Sequence, residues 1–243
     1  MYVIKTIVLF LIFVQLSCSK KTTAPPIVSS YPPPVVVPPV PVGAVKTYLA
    51  LGDSYTIGQG VARSENFPSQ TRDWLVTNGI NMTEPEIIAS TGWTTTHLES
   101  AINSQNPKGP FHAVSLLIGV NDQYQQYNIS GYRERFTGLL KKAIQLAGNK
   151  NSHVFVLSIP DYSVTPFAQN ADRLKIQKEI NGFNDINRAV ALQHNCQYLD
   201  ITPSTREALN DPALLAKDGL HPSGKEYRKW AERLGPLMKA VLQ

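Results

Sequence analysis

Tyr48-Leu49-Ala50-Leu51-Gly52-Asp53-Ser54-Tyr55 is the stretch on which the fold turns. An apolar run stops abruptly at Gly-Asp-Ser. Short continuous apolar runs suit strands buried on both faces, as in a parallel sheet. The pattern returns at Glu86–Ala89, Ala113–Val120 and Val154–Ile159, and more weakly at Tyr198–Ile201. Between these runs the period changes to that of helices. Phe67–Asn78 precedes Gly79. Tyr132–Ala147 spaces Phe136, Leu139, Leu140, Ala143 and Ile144 three or four apart and ends at Gly148. Ala171–His194 carries Leu174, Ile176, Ile180, Phe183, Ile186 and Val190 in a broader stripe. A last helix holds Tyr227, Trp230, Ala231, Leu234 and Met238, with a kink expected at Pro236. Alternating strands and helices predict an α/β fold: a three-layer α/β/α sandwich around a parallel sheet of about five strands. Such sheets bind ligands beyond the carboxyl ends of their strands.

The chain has 243 residues, with 23 Lys and Arg against 18 Asp and Glu. That length suits one domain, residues 46–243, with an N-terminal extension. Part of the positive charge lies in the extension, at Lys5, Lys20 and Lys21, leaving 20 against 18 in the body. A body so near neutral lacks the electrostatic footprint of a nucleic-acid binder. Two Cys are too few for a disulfide scaffold or a four-thiolate zinc site.

Residues 1–17 read as a signal peptide. Lys5 precedes the apolar run Ile7–Val14, which is too short to span a bilayer as a helix. Leu16-Ser17-Cys18-Ser19 then resembles a bacterial lipobox, although Gln15 stands where an apolar residue is usual. The expectation is a lipidated Cys18 anchoring an exported protein to a membrane. Ser19 in place of Asp favours the outer membrane, facing the periplasm or the surface. Residues 22–45 carry no charge, and eight Pro fall between Pro25 and Pro41. Pro fixes φ and removes a donor, so residues 18–45 read as a semi-rigid tether. If Cys18 is lipidated, Cys196 is expected to be a buried structural thiol.

Each strand end carries a chemical group. Ser54 follows the first strand, Gly92 the second and Asn121 the third, and Asp218-Gly219-Leu220-His221 precedes the last helix. Singly these are ordinary turn and loop residues. Jointly and in this order they are the parts of an acyl-transfer site. The pattern resembles the SGNH-hydrolase superfamily, the GDSL esterases and lipases. Its four letters fall on Ser54, Gly92, Asn121 and His221, with Asp218 as the acid, and the resemblance covers residues 46–243.

The resemblance implies a flavodoxin-like α/β/α fold and a serine esterase working through an acyl-enzyme on Ser54. It gives His221 as the base, Asp218 as its partner, and an oxyanion hole from Ser54, Gly92 and Asn121. No cofactor or metal is implied. The five His are scattered, without a His-Glu-x-x-His pair. Asp53 and Asp122 read as turn-forming. Related enzymes act on acetylated carbohydrates, lysophospholipids, thioesters and aryl esters. A domain this short leaves little room for a lid, which favours a short acyl group, such as acetyl, on a glycan. Tyr55, Trp93, Tyr124, Tyr162 and Phe167 are candidates for a sugar-stacking wall, or for core. A lysophospholipase or lipase, and a non-catalytic glycan-binding module on the same fold, are the alternatives.

Overall fold

The computed structural model describes residues 43–243. The signal peptide, Cys18 and nearly all of the tether lie outside the described residues. Five strands form one parallel sheet: β1 (Tyr48–Asp53), β2 (Glu86–Ser90), β3 (Ala113–Leu117), β4 (Val154–Leu157) and β5 (Gln197–Leu199). Their order is β2-β1-β3-β4-β5. This is the flavodoxin-like order expected from the resemblance, and it reverses between β1 and β3, where such sheets hold their ligands. The register sets Gly52 level with Ala89 on one side and Leu117 on the other. The loops that follow β1, β2 and β3 therefore open at the same, carboxyl, end of the sheet.

Burial explains why these strands were legible. Every residue of β1, β3 and β4 is buried, so each reads as a near-continuous apolar run. β2 and β5 are the edges, and only Ile88 and Leu199 in them are buried. β3 is shorter than expected. Gly119 takes φ +123 and Val120 begins a helix, so the apolar run Ile118–Val120 turns out of the sheet. β4 likewise ends at Leu157, and the Ile159 N–H goes instead to Asn184 Oδ1 at 2.7 Å.

Eight α-helices are described, besides short 3-10 turns: α1 (Ser54–Ile57), α2 (Phe67–Thr77), α3 (Thr95–Gln105), α4 (Val120–Tyr124), α5 (Ile129–Leu146), α6 (Arg173–Gln193), α7 (Thr202–Arg206) and α8 (Gly224–Leu242). Side-chain caps set several starts. Asn66 accepts from the Ser69 N–H at 2.9 Å, Asn128 from Ser130 at 2.9 Å and Asp172 from Lys175 at 3.0 Å. The Asp172 cap moves the start of α6 two residues beyond the expected Ala171. α2 and α8 pack together through Phe67, Tyr227 and Trp230. α5 packs against α3 and α6. α8 runs on through Pro236. Just before it, Gly235 lets the helix close on Trp74, whose ring a Cβ would strike. Among the described residues no helix is long and apolar enough to cross a membrane.

Candidate active site

The turn from β1 into α1 is built around two residues. A Cβ on Gly52 would collide with Thr56 Oγ1 and approach the Leu117 carbonyl, so only glycine fits where strand and helix meet. Asp53 caps α1 by accepting the Tyr55 N–H at 3.0 Å. Ser54 is thereby the first residue of the helix, 4% exposed, on the wall of a cleft of about 120 Å³. That cleft is also lined by Gly92, Asn121 and His221, together with Tyr55, Thr91, Val120, Tyr124, Tyr162, Phe167 and Leu220. A larger groove of about 850 Å³ between α2 and α8 holds none of the candidate residues.

Asp218 and His221 meet in the loop before α8. His221 Nδ1 lies 2.7 Å from Asp218 Oδ2, and Asp218 Oδ1 accepts the backbone N–H groups of Leu220 and His221, each at 3.0 Å. With Nδ1–H donating to the carboxylate, Nε2 is left as the acceptor. Partial burial pushes the Asp218 carboxyl upward. The donors from the His221 ring and the two amides outweigh it and hold the group below its ordinary range. The His221 ring packs on Tyr55, with centroids 5.1 Å apart.

Gly92 has φ +79, a conformation that favours glycine, while a Cβ there would meet nothing within 4 Å. Backbone conformation, not crowding, calls for the glycine. No partner for its N–H is found among the described residues. The Asn121 amide is aimed by one of its hydrogens, which goes to the Trp93 carbonyl at 3.0 Å.

Further ties hold the loop after β2 to α4. Gln125 Nε2 reaches the Gly92 carbonyl at 3.3 Å, and Asp122 accepts from Thr95 N–H at 2.8 Å and Thr95 Oγ1 at 2.6 Å. Asp122 is therefore no turn residue. It sits at zero exposure in α4, where Arg135 reaches it at 3.3 Å and binds α3, α4 and α5 together. Thr95 and Arg135 were not legible as neighbours of the site, because only the fold brings them there. Trp93 packs partly against the core and does not line the cleft, unlike the other four aromatics of the expected wall.

Ser54, Gly92, Asn121 and His221 thus converge on one cleft, with Asp218 behind His221. Outside it, His112 bonds Thr47, His153 Nδ1 lies 2.7 Å from the His112 carbonyl, and His97 bonds Thr94. Cys196 is buried, which pushes its thiol up to about 11, and its sulfur faces the His194 carbonyl at 3.8 Å rather than that imidazole. Among the described residues no cluster of acidic, His or Cys side chains is fit to hold a metal.

The model of the GDSL-like Lipase/Acylhydrolase family matches residues 50–229, well over half of the chain. The chain belongs to that family. This GDSL-family protein is a serine ester hydrolase. Its fold is shared with TesA at 19% identity and TM-score 0.63, over 81% of this chain and 99% of that one. The lipase/acylhydrolase of Enterococcus faecalis is similar at 19% identity and TM-score 0.62, over 80% of this chain and 96% of that one. The acetyl xylan esterase Axe2 of Geobacillus stearothermophilus is similar at 20% identity and TM-score 0.54, over 79% and 94% of the two chains. At these identities the likeness is one of fold. None of the curated proteins matches the GDSL-family chain.

Proposed function

We propose that the protein removes short acyl groups, acetyl above all, from the hydroxyls of carbohydrates, through an acyl-enzyme on Ser54. The observation that carries this is the cleft itself. At about 120 Å³ it is somewhat smaller than the 150 Å³ cavity that holds one benzene, a size that favours a short acyl group. Tyr124 and Phe167, two of the lining residues, stand half exposed with their rings 5.9 Å apart. Polar groups lie nearby: Gln125 on the carbonyl of Gly92, and Thr91 bonded to Gln59 at 2.8 Å. Exposed aromatic faces together with polar groups suit a sugar ring, with its apolar face and hydroxylated rim, better than a lipid tail.

In this mechanism Ser54 Oγ attacks the ester carbonyl while His221 Nε2 takes its proton. Asp218 holds the imidazole in the required tautomer and stabilises the imidazolium. The tetrahedral oxyanion is met by the N–H groups of Ser54 and Gly92 and by the second amide hydrogen of Asn121. Collapse breaks the bond to the alcohol oxygen, which leaves with the proton from His221. Water then attacks the acyl-enzyme by the same route and releases the acid and free Ser54.

A panel of esters with acyl chains from acetyl to dodecanoyl, together with acetylated oligosaccharides, tests the reading. The expected order is acetyl first, with a steep fall beyond butyryl and a lower KM for the acetylated sugar than for ethyl acetate. A preference for long acyl chains or lysophospholipid would refute it. We also propose export and anchoring through lipidated Cys18. Cys18→Ser should then move the protein from the membrane to the soluble fraction, and a wild type already soluble would overturn this.

A further inference from the structure

Two buried carboxyls flank the candidate site: Asp53 immediately before Ser54, and Asp122 immediately after Asn121. Both have zero exposure. They are provided for very differently. Asp122 receives two hydrogen bonds from Thr95, and the Arg135 guanidinium meets its charge. Asp53 accepts the Tyr55 N–H on Oδ1, with its own backbone N–H as a lesser second donor, while Oδ2 has no hydrogen-bond partner among the described residues. No Lys, Arg or His pairs with Asp53 among the described residues. The titratable groups facing it are Asp122 of α4, Tyr55 of α1, Tyr132 of α5 and Tyr227 of α8. None of these can bring a positive charge. A carboxylate isolated from water and cations, and short of donors, takes up a proton instead.

We propose that Asp53 is a positioning residue that works as a neutral carboxylic acid, capping the turn that carries Ser54 without setting a second negative charge beside Asp122. The neutral acid keeps Oδ1 as an acceptor for the Tyr55 N–H, so the N-terminus of α1 stays pinned. Ionisation sets the carboxylate against Asp122 in the same dry interior and loosens the turn that presents both the Ser54 hydroxyl and its backbone N–H. Burial drives the Asp53 carboxyl upward, the hydrogen bonds from Tyr55 N–H and from its own backbone N–H offset part of this, and Asp122 adds to it, giving about 8. The folded chain then holds a proton that the unfolded chain loses near pH 4. Stability attributable to Asp53 therefore falls as pH rises from about 4 to about 8 and levels off beyond. The kinetic part of this role rests on Ser54 being the nucleophile, and the protonation state does not.

The test compares wild type, Asp53→Asn and Asp53→Ala in steady-state kinetics and thermal melts from pH 5 to pH 10. Asn keeps the acceptor and cannot ionise. In wild type kcat should fall about tenfold per pH unit above about pH 8. In Asp53→Asn that alkaline limb should vanish, and the decline of Tm between pH 5 and pH 8 should be shallower than in wild type. Asp53→Ala, which has no acceptor, should lose kcat about tenfold or more at every pH. Parallel pH profiles in wild type and Asp53→Asn, or a folded but inactive Asp53→Asn, would overturn the proposal. If Asp53→Asn does not fold, infrared spectroscopy of wild type decides. A protonated-carboxyl band present at pH 7 and lost on titration past about pH 8 supports the proposal, and its absence at pH 7 overturns it. An enzyme without activity on any ester would defeat the proposed function while leaving the infrared and melting arms to judge Asp53.

Discussion

Asn121→Ala separates chemistry from structure. The Asn121 amide has two hydrogens. One is held by the Trp93 carbonyl at 3.0 Å, which leaves the other for the oxyanion of the proposed mechanism. Losing an oxyanion donor raises the barrier by about 2.7–4 kcal/mol, a fall in kcat of roughly 100- to 1000-fold. Losing the bond to Trp93 costs about 0.5–1.5 kcal/mol of stability, because Asn121 is half-buried and water can reach the vacated group. Against a typical 5–15 kcal/mol of total stability, that leaves nearly all molecules folded. The two effects therefore differ in size and in readout. Steady-state kinetics on p-nitrophenyl acetate and a thermal melt of the same preparation measure both. The expected result is a large drop in kcat, a KM within about threefold and a modest drop in Tm. Asn121→Asp should do at least as much damage, because it sets a carboxylate where the oxyanion forms. Wild-type kcat in Asn121→Ala, or a loss matched by the unfolded fraction, would refute the reasoning.

Other perturbations follow from the same geometry. Gly92→Ala adds a Cβ in open space but at φ +79, so it should cost about 1–2 kcal/mol of backbone strain and lower kcat by moving the amide, as kinetics and melts would show. Gly235→Ala gains roughly 1 kcal/mol of helix propensity but drives a Cβ into the Trp74 ring, an overpacking cost of about 1–3 kcal/mol. A net loss in urea denaturation with unchanged kcat is expected, and a rise in stability would contradict the close packing of α8 on α2. The Asp218 carboxyl is held low in the folded state, so its contribution is present above the unfolded value near pH 4 and is lost as pH falls through the folded one. Asp218→Asn should accordingly flatten the acid limb of Tm, and it should lower kcat less than His221→Ala does.

What could be read from the sequence divides along burial. β1, β3 and β4 announced themselves because both of their faces are covered, and α5 because its stripe from Phe136 to Ala143 is regular. α3 was not expected. It buries only Thr95, Leu98 and Ile102, too few apolar residues to show a period among Thr, Glu, Ser and Asn. The last residues of the β3 run were misassigned because a left-handed Gly119 turns an apolar sequence out of the sheet. Site residues were recognisable as short blocks at strand ends, and the register explains why they meet. Their supports were not, since Asp122, Thr95 and Arg135 are joined only by tertiary packing. The contrast between Asp53 and Asp122 was equally hidden, because both are Asp beside a site residue and only the number of donors around each tells them apart.

Covalent trapping at Ser54 bears most directly on the central claim. Wild type, Ser54→Ala and His221→Ala would be treated with a fluorophosphonate, and the labelled peptide sequenced by mass spectrometry. The account predicts one adduct, on Ser54, formed quickly in wild type, slowly in His221→Ala and not at all in Ser54→Ala, with ester turnover lost in step. An adduct on another serine or on Cys196, or undiminished turnover in Ser54→Ala, would contradict it.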